Sequence, residues 1–98
     1  MDAELLLSER IRLADGVFAE LVIWLVPAPV RASAHPYKYR LALVADGTCV
    51  LRYDNEAGKG DHRHIGAVEQ PFRFVDVKAL RAAFLADVRS WIDENHRG

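Results

Sequence analysis

Apolar residues repeat with one period through the first three quarters of this chain and with another in the last quarter. Four runs rich in aliphatic and aromatic residues come first: Ser8 to Ala14 (SERIRLA), Val17 to Val26 (VFAELVIWLV), Tyr37 to Ala45 (YKYRLALVA) and Thr48 to Asp54 (TCVLRYD). They read as strands. Asp15-Gly16 joins the first pair and Asp46-Gly47 the second. Asp-Gly is a preferred two-residue hairpin loop because a type I′ turn needs φ > 0 at both positions. A fifth run, Pro71 to Val75 (PFRFV), alternates Phe72 and Phe74 with Arg73, and its leading proline marks an edge strand or a strand's first residue. Beyond it, Asp76 is placed to cap a helix in which Val77, Leu80, Phe84, Val88 and Trp91 recur at helical spacing. The expected fold class is α+β: an antiparallel sheet of four to five strands, built on two Asp-Gly hairpins and packed against a C-terminal helix, as a single domain over residues 1–98.

If Asp46-Gly47 closes a plain two-residue loop, Ala45 faces Thr48. One face of the pair then matches Leu43 with Val50, Leu41 with Arg52 and Tyr39 with Asp54. The other matches Val44 with Cys49, Ala42 with Leu51 and Arg40 with Tyr53. Polar side chains gather at the open end, where Lys38, Tyr39, Arg40, Arg52, Tyr53, Asp54 and Asn55 share two strands. The segment Asn55 to Gly66 is expected to leave that end as a loop and fold back over them. In Val17 to Val26 both faces are apolar. A single helix covers one face of a sheet, so the spare face, Trp24 included, is expected to meet a second chain unless Asp2 to Leu7 folds over it as a helix.

Composition narrows the class. Ninety-eight residues, 51% hydrophobic and 28% charged, suffice for one core. The lone cysteine, Cys49, excludes an internal disulfide and reads as a buried small hydrophobe. The opening MDAELLLSERIR lacks the basic start and long apolar run of a secretory signal. Val17 to Val30, interrupted by Glu20, Pro27 and Pro29, falls short of the roughly 20 apolar residues of a membrane span. A cytoplasmic protein without membrane contact is expected. Net charge is −1 with a pI near 6.4, so no global positive field draws the chain to nucleic acid, and any such binding needs a local patch.

Chemistry concentrates in Tyr53 to Gly66, YDNEAGKGDHRHIG. Gly58 and Gly60 around Lys59 allow close backbone approach to an anion, although Gly-Lys-Gly is also a common surface turn. His62 and His64 lie two apart, so on an extended segment both rings point to one face while Asp61 and Arg63 point to the other. Two imidazoles can take and give a proton near neutrality, and Lys59 and Arg63 could stabilise charge developing on a phosphorane. Asp61 or Asp54 would orient an imidazole, while Arg40, Arg52, Tyr53, Asp54 and Glu56 would bind substrate. Such a set can cleave RNA through 2′-oxygen attack with neither metal nor cofactor. The same His-x-His pair with Asp54, Glu56 or Asp61 also offers ligands for a divalent transition metal. The bland alternative is a solvated loop whose charges neutralise one another. His35, in a loop, and His96, in the tail, are given no role.

The stretches YRLALVADGTCVLRYDNEAGKGDHRHIG and EQPFRFVDVKALRAAFLADV resemble the TumE family of prokaryotic toxins from toxin–antitoxin modules. The likeness is strong over Tyr39 to Val88 and most specific in YDNE and GKGDHRH. It implies a growth-inhibiting cytoplasmic toxin restrained by a cognate antitoxin encoded nearby; the spare apolar face of Val17 to Val26 then leads to the expectation of a homodimer or a toxin–antitoxin complex. Many small toxins of such modules are ribonucleases, which makes RNA the expected substrate of His62 and His64. Small mRNA-cleaving toxins are usually strongly basic, and this chain is not. The rival readings are a non-catalytic module that grips a protein and a metal- or nucleotide-dependent enzyme.

Overall fold

A computed structural model of the chain describes residues 2–95. Six strands, β1 (Glu4–Ala14), β2 (Val17–Leu25), β3 (Tyr37–Ala45), β4 (Thr48–Glu56), β5 (Gly60–Ile65) and β6 (Val68–Pro71), precede one helix, α1 (Val77–Asn95). The strands lie in chain order in one antiparallel sheet, each hydrogen-bonded to the next. Among the described residues no helix is long and apolar enough to cross a membrane.

The two Asp-Gly hairpins form, but only the second takes the mirror-image turn. Asp46 (φ 51) and Gly47 (φ 81) are both left-handed, whereas in the first turn Gly16 alone (φ 73) is. The turns lie side by side, the Asp46 N–H donating to the Gly16 carbonyl at 2.8 Å. Asp2 to Leu7 forms no covering helix; from Glu4 it extends β1.

The expected loop over Asn55 to Gly66 is instead a hairpin, with the turn between β4 and β5. Asp54 pairs with His62 and Asn55 with Asp61, so the chain continues the sheet rather than folding over it. The run Pro71 to Val75 is not a strand beyond its first residue. Pro71 ends β6, since proline cannot donate to a ladder, and the two phenylalanines turn into packing. Phe72 meets Tyr53 edge-on at 4.9 Å, and Phe74 stacks on His35 at 3.7 Å.

The β3–β4 register departs from expectation in one decisive place. Ala45 faces Thr48 and Val44 faces Cys49, but Leu43 then pairs with Leu51, leaving Val50 as an extra residue. Leu41 therefore faces Tyr53, Ala42 faces Arg52 and Arg40 faces Asp54. A bulge shifts every later side chain of β4 to the opposite sheet face. Leu51 and Tyr53 now point to the helix with Leu41 and Leu43, while Arg52 and Asp54 point away with Arg40.

The core forms where helix and sheet meet. Val17, Ala19, Leu21, Ile23, Tyr39, Leu41, Leu43, Leu51 and Tyr53 from the sheet enclose Leu80, Phe84 and Val88 of α1. The expected cap is present: the Ala79 N–H donates to Asp76 Oδ1 at 2.7 Å. Arg81 reaches β1 with two 3.0 Å hydrogen bonds to Glu9, fixing the helix across the sheet. That guanidinium, through its hydrogen bonds, holds the Glu9 carboxyl below its ordinary range. Cys49 is exposed rather than buried, its Sγ 3.5 Å from the Leu51 carbonyl, because it pairs with Val44 on the side of the sheet away from the helix.

Among the described residues no second layer covers the other face. Half-buried Phe18 lies under Arg10, whose guanidinium carbon is 4.1 Å from the ring centre, and Trp24 remains 37% exposed. Since one helix carries the core, Phe84→Ala should lower stability by about 3–5 kcal/mol. Chemical denaturation should show the transition midpoint falling with its slope unchanged.

Candidate functional site

On the helix-free face the ladder aligns two rows of polar side chains, each crossing three strands. Arg40, Asp54 and His62 form one row; Arg52, His64 and Glu69 belong to the next. His62 is only 3% exposed, with its Nδ1 3.0 Å from the Gly60 carbonyl. A carbonyl can only accept, so Nδ1 carries a proton, and in the neutral ring Nε2 holds a lone pair. That Nε2 lies 2.7 Å from Asp54 Oδ1. Both atoms are sealed from solvent, and the contact is not aligned as a hydrogen bond.

His64 stands beside them, the two imidazole centres 5.0 Å apart and nearly edge to face. Arg52 Nη2 donates to His64 Nε2 at 3.0 Å, so the neutral His64 ring carries its proton on Nδ1. Arg52 Nε also comes within 3.1 Å of Asp54 Oδ2, again without hydrogen-bond alignment. Glu69 overhangs the group, its Oε1 4.0 Å from His62 Nε2 and 3.7 Å from Lys59 Nζ. Asp54, His62 and His64 each offer a ligand atom, all within 4.8 Å of one another. Along the row toward β2, Val22, Trp24, Lys38, Tyr39, Arg40 and Asp54 line a cavity of about 170 Å³.

The pleat sends Asp61, Arg63 and Tyr53 to the helix face. Asp61 accepts from Ser33 Oγ at 2.7 Å and from the Tyr39 hydroxyl at 2.7 Å, and contacts His35 Nε2 at 2.6 Å. The Tyr37 N–H donates to His35 Nδ1, so that ring's Nε2–H donates to Asp61. Burial and the Asp61 bond push the Tyr39 phenol pKa strongly upward. Arg63 donates to Gln70 at 2.9 Å, to the Tyr53 hydroxyl at 3.3 Å and to Asp87 at 3.2 Å. Tyr53 also donates to Asp87, and burial first, then that bond, pushes its phenol up to about 12. Asn55 bridges the Tyr39 N–H and the Tyr37 carbonyl. These groups have satisfied partners and tie the Pro27 to Pro36 connection, the sheet and α1 together.

The sheet thus separates Asp61, Arg63 and Tyr53 from His62 and His64. Lys59 lies in the turn near Glu69, and the Glu56 side chain is exposed. The glycines around Lys59 form no anion cradle, because the Gly58 N–H is given to Arg31 and the Lys59 N–H to Glu56. Glu69 and Trp24 were not expected at the site. Their approach depends on pairing with β5 and β3, which no local motif announces. His35 also takes a role not foreseen for a loop histidine. His96 lies outside the described residues.

Two predictions follow from this wiring. A Cβ on Gly60 (φ +74) would stand 2.7 Å from the Ala32 carbonyl, so Gly60→Ala should cost about 1–3 kcal/mol. Thermal unfolding of that variant measures it. A raised tyrosine pKa contributes stability that is complete below the unfolded value near 10 and is lost as pH rises toward about 12. Tyr53→Phe should be less stable at neutral pH, and its melting temperature should fall less steeply than the parent's across that alkaline window.

A family model described as "Toxin TumE" matches residues 2–92. No curated protein and no solved structure matches the chain.

Proposed function

The chain belongs to the TumE toxin family, a membership that implies an antitoxin partner, and we propose that it acts by cleaving RNA at the Asp54–His62–His64 group. The observation that carries this reading is the convergence on one uncovered face. A buried carboxylate and two imidazoles adjoin Arg52, Arg40 and Lys38, with Trp24 beside the neighbouring cavity.

That arrangement suits a single strand of RNA. Arginine and lysine neutralise phosphates, and a half-exposed indole offers a stacking surface worth about 1–3 kcal/mol per base. The chain's net charge of −1 does not oppose this, because Arg10, Lys38, Arg40 and Arg52 share the open face, where they meet the acids Glu20, Asp54 and Glu69. In the reaction an incoming oxygen, from the 2′-hydroxyl or from water, bonds to phosphorus as one backbone P–O bond breaks. The proton shed by the incoming oxygen is delivered to the leaving one. The two histidines are not equivalent in this reading: His64 is partly exposed, whereas His62 Nε2 is sealed against Asp54. Arg40 and Arg52, rather than Arg63, hold the phosphate. An antitoxin seated on the same face would cover Trp24 and shut the centre together.

Brief induction in bacterial cells followed by sequencing of RNA 5′ ends tests the proposal. Active toxin should arrest growth and produce new ends. His64→Gln should lower cleavage by about 100-fold or more with an unchanged circular dichroism spectrum. Arg63→Ala should instead lower the melting temperature. Intact RNA in arrested cells, or full toxicity of His64→Gln, would replace the ribonuclease with a module that acts by binding protein.

A further inference from the structure

Asp54 Oδ1 and His62 Nε2 present an unresolved polar contact inside an otherwise satisfied sheet. Each is buried, they are 2.7 Å apart, and no hydrogen bond aligns between them. With His62 Nδ1 committed to the Gly60 carbonyl, the neutral ring turns a lone pair toward a carboxylate lone pair. Buried polar atoms left in this state are costly, and a shared cation relieves them.

We infer that Asp54, His62 and His64 form a binding site for one divalent first-row transition-metal ion. Two imidazole nitrogens and one carboxylate oxygen are the donor set of many zinc, iron and manganese centres with positions left open for water or substrate. The three donor atoms already lie within 4.8 Å of one another. Neighbouring ligands on bonds of about 2.1 Å stand on the order of 3 Å apart, so the Asp54–His62 pair needs to open only by a few tenths of an ångström. The Gly60 carbonyl serves as the outer partner that orients a metal-bound histidine, and Glu69 Oε1, at 4.0 Å from His62 Nε2, is placed to supply a fourth ligand or to hold a water.

Arg52 is the competitor. Its guanidinium occupies His64 Nε2 at 3.0 Å, and an ion must take that nitrogen or bind His64 through Nδ1. A bound ion would polarise the phosphate oxygen and lower the pKa of a coordinated water. This role in catalysis rests on the ribonuclease reading; the binding itself does not.

The full-length protein, stripped with chelator and dialysed, is titrated with zinc and separately with manganese by calorimetry, and its melting temperature is recorded with each ion. Cobalt(II) supplies a direct signature, since its visible absorption reports the ligand field. One ion per chain, a raised melting temperature and cobalt bands are expected. Asp54→Asn and His64→Gln should each weaken binding by at least about tenfold while keeping the circular dichroism spectrum. His64 is the more exposed ligand, so its variant tests the site even where a change at buried Asp54 impairs folding. The inference is overturned by absence of binding for all three ions, or by binding that both variants leave unchanged. RNA cleavage that persists in excess chelator with no ion bound would overturn the ion's role in catalysis while leaving the ribonuclease intact. Binding at these ligands without any RNA cleavage would uphold the site and remove the ribonuclease.

Discussion

Beyond the turn at Asp46-Gly47, β4 carries one residue more than β3 can match, and the sides taken by the later residues of β4 and β5 depend on it. The pleat alternates strictly, so an insertion at Val50 exchanges inside for outside along the remaining strand. Leu51 and Tyr53 enter the core under Phe84, while Arg52 and Asp54 are delivered to the opposite face. β5 inherits the same phase through its pairing with β4, which brings His62 beside Asp54 and His64 beside Arg52. Without the bulge, Arg52 would point into the apolar layer beneath the helix.

The two faces then carry polar groups in different physical states. Under the helix, Asp61, Arg63, Asn55 and Tyr53 sit in networks whose donors find acceptors, and their effect is to hold the Pro27 to Pro36 connection and α1 in place. Satisfied networks of this sort make a structure rigid and specific. On the open face, Asp54, His62 and Arg52 retain buried atoms without aligned partners. Among the described residues, a fold that satisfies one polar layer and leaves three such atoms in the other gathers its unmet chemistry on the open face. The rigidity of the helix side is what keeps that group assembled, because Gly60 is held against Ala32 while its carbonyl orients His62.

Charge follows the same division. The net value of −1 describes the whole chain, yet acids such as Glu9 and Asp87 are spent on Arg81 and Arg63 on the helix side. Lys38 and Arg40 remain on the uncovered side with Trp24. The field that a phosphate would meet is set by these cations together with Glu20, Asp54 and Glu69 on the same face, and an average over the sequence does not describe it.

Several features were legible without the structure because they depend on near neighbours in the chain. Backbone sterics at Asp-Gly set the hairpins, a carboxylate at Asp76 set the start of α1, and helical spacing set which of its residues are buried. Two-residue alternation likewise put His62 and His64 on one side and Asp61 and Arg63 on the other. Partnership was not legible in the same way. The bulge at Val50, the pairing of β5 with β4 and the early end of β6 at Pro71 are settled by packing against α1 and by hydrogen bonding between strands. Sequence alone thus determined which side chains could do chemistry and how they alternate. Only the tertiary structure decided which of them meet, because register is a property of two strands and a covering helix, and a shift of one residue reverses every side chain beyond it.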